Sequence, residues 1–160
     1  MTTRWLNADE ERAWRGFHRL RGDLTARLNA ELAADSGLTE ADFAVLVYLS
    51  EAPGGVMRAR ELQRELAWDR SRLSHQLTRM ERRGTVERRA CATDARGLDI
   101  SITAAGRAAI TAAAPAHVAV VRHCFVNLLT PEQLATLADI ADIVADHLEE
   151  AHGRRATGDE

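Results

Sequence analysis

The feature that most constrains the fold is a pair of short amphipathic patterns joined by a tight connection. The first pattern predicts a helix from about Ala59 to Leu66, with two leucines four residues apart on one face. Residues 67–69 form the connection, and Asp69 is placed to cap a second helix that runs from Arg70 to Arg83. Two short helices joined by so tight a turn are the elements of a helix-turn-helix.

The second of these helices has two chemically different faces. Leu73, Leu77 and Met80 recur at the spacing of a buried stripe. The opposite face is polar and basic, and it carries Ser71, Arg72, Ser74, His75, Gln76 and Arg79. Arginine and glutamine form paired hydrogen bonds with the edges of guanine and adenine, so this face is typical of a helix that reads DNA.

Two strands are predicted directly after the helix pair. Gly84 ends the second helix, and Val86–Cys91 and Leu98–Ile102 follow as strands. The polar turn between them carries an arginine at its tip. A helix-turn-helix followed by a hairpin is a winged helix, so the fold class predicted is mainly α with a small β-hairpin wing.

Amphipathic helices are predicted on both sides of this unit. Apolar residues recur every three or four positions from Leu6 to Ala34, and Thr39 with Asp42 forms a capping-box pattern that opens the next helix. Behind the strands, Thr103 and Thr130 are placed to cap two further helices. We divide the chain into an N-terminal dimerisation helix (1–34), a winged helix-turn-helix DNA-binding domain (35–104), C-terminal dimerisation helices (105–150) and a disordered tail (151–160).

The terminal helices predict a homodimer. A winged helix has a small core of its own and cannot cover the apolar stripes of several additional helices. Two copies packed about a twofold axis would bury those stripes and place two recognition helices about 34 Å apart, one turn of DNA. The alternative is a monomer whose terminal helices fold back onto its core.

The charge distribution favours the same function. The net charge is −3, but the segment from Val56 to Gly97 contains 11 arginines and 6 acidic residues, a local excess of +5. The rest of the chain carries −8. A basic centre between acidic arms is typical of a DNA-reading module on an acidic support.

These motifs together resemble those of the MarR family. The resemblance is carried by the run from Glu61 to Arg88, by the wing Asp94-Ala95-Arg96-Gly97 with the following Thr103-Ala104-Ala105-Gly106-Arg107, and by Leu38-Thr39-x-x-Asp42-Phe43. It covers about residues 8 to 150. It implies a dimeric repressor that binds a pseudo-palindromic operator and is released by a small aromatic ligand or, in some members, by oxidation.

The DNA contacts expected on this basis fall into three groups. Ser71, Arg72, His75 and Gln76 are expected to reach base edges, with Arg72 on guanine and Gln76 on adenine. Ser74, Thr78 and Arg79 are expected at phosphates, and Arg96 in the minor groove. The resemblance also implies that Asp94 pairs with an arginine and holds the shape of the wing.

The resemblance places an effector in the crevice between the first, second and fifth helices. An aromatic wall beside a cation would suit an aromatic carboxylate, and Trp14, Arg15, His18 and His117 are the candidate ligand contacts.

Other functions are less well supported by the sequence. A redox- or metal-responsive sensor acting through Cys91 or Cys124 is the alternative, although neither cysteine belongs to a CxxC pair. No arrangement typical of an enzyme is found, and no cofactor is expected. The sequence also predicts neither a signal peptide nor a membrane span, so a cytoplasmic location is expected.

Overall fold

The computed structural model describes residues 4–90 and 97–156, apart from the side chains of Glu149 and of residues 151–156. The described α-helices and β-strands, in chain order, are α1 (Ala8–Ser36), α2 (Glu40–Glu51), β1 (Val56–Arg58), α3 (Ala59–Glu65), α4 (Arg70–Arg82), β2 (Val86–Ala90), β3 (Leu98–Ile102), α5 (Ala104–Cys124) and α6 (Pro131–Ala156). The chain divides into two compact units, Met1–Val120 and Val121–Glu160. The fold is mainly helical with a small sheet, which confirms the predicted class.

Side-chain caps fix the ends of the helices close to where the sequence predicts them. The Asn7 side chain accepts from the N–H of Asp9 and Glu10, and the Glu10 carboxylate accepts from the N–H of Asn7. Thr39 and Asp42 form the predicted capping box at the start of α2. Gly37 ends α1 with φ at +67°, a backbone conformation that glycine adopts at little cost.

The sheet has one more strand than the hairpin predicted. Its order is β1-β3-β2, and β3 pairs antiparallel with both neighbours. The Val56-Met57-Arg58 segment forms β1 and pairs with β3 so that Val56 lies opposite Ser101. Three residues are too short for an alternating pattern to be recognised, which is why this strand was not predicted.

The core of the first unit lies directly beneath the helix-turn-helix. Leu62 of α3 and Leu77 and Met80 of α4 are almost fully buried. They belong to a cluster that also includes Val45, Leu46, Leu49, Leu73, Val86, Ile100, Ile110 and Ala113. Because this cluster draws on α2 to α5 and on the sheet, helix-turn-helix and wing share one hydrophobic core within a single chain.

The terminal helices are less completely covered. Along α1, Leu32 is buried and Leu28 is half-buried, whereas Trp14 is 55% exposed. In the second unit, Ile140, Val144 and Leu148 of α6 each expose about half of their surface. The described chain therefore leaves apolar stripes open on both terminal helices.

Two expectations about the C-terminal third differ from the structure. Helix α6 continues to Ala156, so six residues of the expected disordered tail are helical and residues 157–160 lie outside the description. One described segment, Ala104–Leu128, is also long and apolar enough to span a membrane, with a mean hydropathy of 1.3. Length and composition are the only basis for this statement, and a single helix that meets these two criteria does not identify a membrane span.

Candidate nucleic-acid interface

Helix α4 presents most of the predicted DNA-contacting residues on one exposed face. Its N-terminus is capped by Asp69, whose Oδ1 accepts from the N–H of Arg72 at 2.8 Å. Its apolar stripe is buried in the core, and this fixes the direction of the opposite face. Five of the predicted contacts are exposed on this face: Ser71, Arg72, Ser74, His75 and Arg79. This surface combines hydrogen-bond donors and positive charge, which are the groups that contact bases and phosphates.

The side chain of Arg72 is oriented by an aromatic ring. Its guanidinium lies over the Trp68 indole, 4.4 Å from the ring centre. Trp68 stands in the turn before α4, where Ala67 has φ at +50°. Such cation–π contacts favour a defined direction for an exposed arginine. Sequence reasoning assigned Arg72 a role but did not identify Trp68 as its support.

The role predicted for Gln76 requires a correction. Gln76 is 1% exposed, and its Nε2 donates to Asp42 Oδ1 at 2.5 Å while its Oε1 accepts from Arg79. Gln76 follows Leu73 by three residues and precedes Met80 by four, so it lies on the buried side of α4. Its amide is hydrogen-bonded inside the protein and is not presented on the exposed face of α4.

The hydroxyl of Thr78 is also engaged within the protein. It donates to the Ser74 carbonyl at 2.9 Å and accepts from the Arg88 guanidinium at 2.6 Å. The phosphate contact predicted for Thr78 would require the first of these bonds to break. Arg88 donates to the Ser74 carbonyl as well, at 3.1 Å, and lies 3.5 Å from Glu81. Arg88 therefore fastens β2 of the wing to the middle of α4.

A basic groove lies between the helix-turn-helix and the sheet. It has a volume of about 440 Å³ and is lined by α3, α4, β2 and the ends of β1 and β3. Four arginines line it: Arg58, Arg60, Arg70 and Arg88. Arg58 pairs with Asp99 at 3.6 Å, and Arg60 and Arg70 are exposed. The sequence analysis did not assign these arginines, although the excess of +5 in this segment was the signal for such a surface.

Residues 91–96 lie outside the described part of the chain, and they include Cys91, Asp94 and Arg96. The shape-holding ion pair of Asp94 and the minor-groove contact of Arg96 therefore remain predictions. Cys124 is described as a free, half-buried thiol at the end of α5.

The candidate effector contacts do not form one pocket within the described chain. Trp14 and His18 stack edge-to-face at 4.3 Å on the exposed half of α1, and Arg15 pairs with Glu11 at 2.5 Å. His117 instead packs against Phe43, with 4.2 Å between the two ring centres, and it lines a cavity of about 10 Å³ beside Leu32. Leu32 follows Trp14 by 18 positions in α1, which corresponds to about 27 Å along the helix. Within one chain, the candidate contacts on α1 are therefore separate from His117.

Burial lowers the pKa of His117. Removal from water disfavours the charged imidazole, and the attraction of Glu40 opposes this effect. The imidazole is therefore more easily kept neutral than an exposed histidine.

Comparison with known proteins identifies the family. The MarR family model matches residues 36–97. AbsC, a MarR family transcriptional regulator from Streptomyces coelicolor, is 40% identical, with a TM-score of 0.88 and coverage of 92% of this chain and 99% of AbsC. Sco3205 from the same organism, solved in complex with DNA, is 37% identical, with a TM-score of 0.89 and 92% of each chain covered.

A more distant relative extends the comparison. A mutant MarR from E. coli, solved with operator DNA, is 27% identical, with a TM-score of 0.70 and coverage of 81% of this chain and 91% of the other. No protein of curated function matches the sequence. The high identity and nearly complete coverage of AbsC and Sco3205 show that the chain belongs to the MarR family of transcriptional regulators.

Proposed function

We propose that this regulator is a cytoplasmic repressor that binds a pseudo-palindromic operator as a homodimer. The observation that carries the proposal is the exposed face of α4, on which Ser71, Arg72, Ser74, His75 and Arg79 stand opposite a fully buried apolar stripe. The DNA complexes of Sco3205 and of the E. coli relative support the choice of duplex DNA as partner. No catalytic role is assigned.

The two sides of this surface are proposed to have different tasks. Ser71, Arg72 and His75 lie in the N-terminal half of α4 and contact base edges in the major groove. Arg79 and the two exposed arginines of the basic groove, Arg60 and Arg70, contact phosphates, which contribute affinity without sequence information. Arg96 extends the contact into the adjacent minor groove.

The proposed dimer rests on the apolar stripes of the terminal helices. Trp14, Phe17 and Leu20 on α1 and Ile140 and Val144 on α6 are all exposed in a single chain. Apolar surface of this extent is unfavourable in water, and a second copy of the chain would cover it. Two copies would also provide the two recognition helices that a pseudo-palindrome requires.

A small aromatic ligand remains the proposed effector class. The exposed group Trp14, Phe17 and His18 supplies aromatic edges beside Arg21, whose guanidinium lies 5.8 Å from the Phe17 ring centre. His117 and Phe43 form a second aromatic pair in the crevice. The alternative is a sensor that responds to oxidation or metal at Cys91 or Cys124. It is favoured if peroxide abolishes DNA binding in the wild type but not in Cys91→Ser or Cys124→Ser.

The test is a fluorescence-anisotropy titration of a labelled duplex from upstream of the gene, beside a scrambled duplex of the same length. We expect tighter binding to the upstream duplex, and affinity that falls steeply between two salt concentrations because phosphate contacts release counterions. Absence of binding to either duplex at low salt would contradict the proposal. Equal binding to both would direct the search for the operator elsewhere in the genome.

A further inference from the structure

A single buried carboxylate on α2 holds the recognition helix. Asp42 is 1% exposed, and its Oδ1 accepts from Gln76 Nε2 at 2.5 Å and from the Arg83 guanidinium. Its Oδ2 accepts from the N–H of Thr39 at 3.0 Å and from the Thr39 hydroxyl at 2.7 Å. Both oxygens are thus hydrogen-bonded, and two of the four donors belong to α4 and its C-cap residue.

We propose that Asp42 is the positioning residue that sets the rotation of the recognition helix and thereby its sequence specificity. The proposal rests on the DNA-reading role assigned to α4 above. Gln76 and Arg83 are seven residues apart, which is close to two full helical turns, so both lie on the same side of α4. Two contacts on one side, drawn to one carboxylate, oppose rotation of the helix about its axis. Arg72 and His75 keep fixed angles relative to Gln76, so their direction depends on this anchor.

The anchor also reaches a proposed phosphate contact. Gln76 donates to Asp42 through Nε2, which leaves its Oε1 directed at the Arg79 guanidinium. If the amide turned over, its NH2 group would face a cation instead. Asp42 therefore fixes the orientation of the Gln76 amide, and that amide holds Arg79.

The turn that carries Asp42 is itself held in place. The Asn29 side chain of α1 donates to Glu40 Oε2 at 3.0 Å and accepts from the N–H of Glu40 at 3.1 Å. On the other side of Asp42, Phe43 stacks on His117 of α5. The first turn of α2 is therefore held by contacts with both α1 and α5, and this fixes the position of Asp42.

The electrostatics of the site agree with this geometry. Burial raises the pKa of Asp42, but hydrogen bonds from Arg83 and from Thr39 outweigh that effect and hold the pKa below its ordinary value of 3.8. The group that anchors α4 is therefore an ionised carboxylate, which accepts stronger hydrogen bonds than a neutral side chain.

The test is an exchange of hydrogen-bonding roles between positions 42 and 76. In Asp42→Asn, the new NH2 group faces a donor whichever way the amide turns. In Gln76→Glu, two carboxylates meet in a buried site. In the double variant Asp42→Asn, Gln76→Glu, the asparagine donates to the glutamate, and the glutamate accepts from Arg79. The contact between positions 42 and 76 is restored, but the asparagine NH2 group cannot accept from Arg83, so that second contact stays lost. The control is Glu51→Gln, which removes a carboxylate charge from the exposed end of the same helix, away from Asp42.

The readout is the ratio of Kd on scrambled duplex to Kd on operator. Loss of folded protein weakens both affinities by the same factor, so this ratio reports the position of the helix and not stability. We expect the ratio to fall about tenfold in each single variant, as loss of a charged hydrogen bond implies. In the double variant we expect a partial recovery of about threefold, because the contact between positions 42 and 76 is restored and the one to Arg83 is not. A ratio unchanged in both single variants, or a double variant worse than either, would overturn the proposal.

A second pair of variants decides the matter if a single variant fails to fold. Arg83→Met removes one anchor point from a side chain that is 44% exposed, and Arg82→Met removes the same charge from its exposed neighbour. We expect the ratio to fall only in Arg83→Met, and equal ratios would overturn the proposal. A wild type that does not discriminate between duplexes would contradict the proposed function instead. The interaction between positions 42 and 76 would then be tested by urea unfolding. If the two single changes lowered the free energy of unfolding additively in the double variant, the interaction would be contradicted.

Discussion

The recognition helix α4 and the C-terminal helix α6 are both amphipathic, yet their apolar faces end in opposite environments. Leu77 of α4 is 2% exposed, whereas Val144 of α6 is 52% exposed. An apolar stripe in the sequence therefore predicts that a helix face will be covered. It does not predict whether the same chain or another chain covers it. The stripe of α4 is covered by its own chain, and we attribute the cover of α6 to a second copy.

The largest effect is expected from a charge placed in the stripe of α6. Val144→Asp would force a carboxylate into the proposed interface, and we expect the dimer Kd to rise on the order of 100-fold or more. Ala135→Asp places the same charge nine residues earlier, about two and a half turns along the helix and therefore on the opposite, polar face, and it should leave the Kd unchanged. Analytical ultracentrifugation measures both. Equal association of Val144→Asp and wild type would break the comparison.

The next effect concerns the stripe of α4. Leu77→Ala removes a fully buried side chain, and we expect the free energy of unfolding to fall by about 2–5 kcal/mol. Val144→Ala should also lower the melting temperature, but this decrease should become smaller as the protein concentration rises, because the side chain is proposed to be covered by a second copy of the chain. Thermal scans at several concentrations separate the two cases. If the change in melting temperature depended on concentration equally in both variants, the stripes of α4 and α6 would not differ in what covers them.

On the exposed face of α4, Arg72→Ala should weaken operator binding by about 1–3 kcal/mol and relax discrimination at one base pair. Arg27→Ala removes the same charge from α1 and serves as the control. Trp68→Leu keeps the guanidinium but removes its aromatic support, and a smaller loss is expected. Anisotropy titrations against single-base operator variants provide the measurement. Undiminished discrimination by Arg72→Ala would show that a different part of α4 reads the bases.

A smaller effect is expected where the wing meets α4. Arg88→Met removes the hydrogen bonds to Ser74 and Thr78, and we expect a loss of about 1 kcal/mol in urea unfolding. Arg89→Met alters the adjacent residue, whose side chain is exposed and pairs only with Glu87 among the contacts described, and it should have little effect. Similar midpoints for Arg88→Met and wild type would contradict the fastening role of Arg88.

The smallest effect is a pH dependence at His117. Its lowered pKa means that the unfolded chain binds a proton more readily than the folded one, so stability should decline as pH falls below the ordinary value of 6.5. His117→Gln removes this contribution and should flatten the decline. Urea midpoints across this pH range report the difference. An unchanged slope would show that His117 titrates alike in both states.

The parts of the fold that local chemistry determines were predictable from the sequence. Thr39, Asp42 and Asp69 cap helices by contacts within three residues, so capping patterns located α2 and α4 closely. Strand β1 was missed because its pairing with β3 joins segments more than forty residues apart, and nothing local marks it.

The candidate site was predictable only where exposure follows from helical periodicity. Arg72 and His75 lie far from the buried stripe, and the structure leaves them exposed as expected. Gln76 lies at the border of the stripe, and its burial depends on an acceptor 34 residues earlier, at Asp42. Trp14 and His117 lie apart within one chain because a long helix separates their positions, and their shared role in effector binding stays a prediction.

The most direct test of the account is the stoichiometry of the DNA complex. Sedimentation velocity on a labelled operator duplex, titrated with the full chain, measures how many copies bind. We predict two chains per duplex at saturation, with no complex of one chain at lower ratios, because the open stripes of α1 and α6 are covered by a partner before DNA is bound. A complex of one chain per duplex that retains preference for the operator would contradict the account.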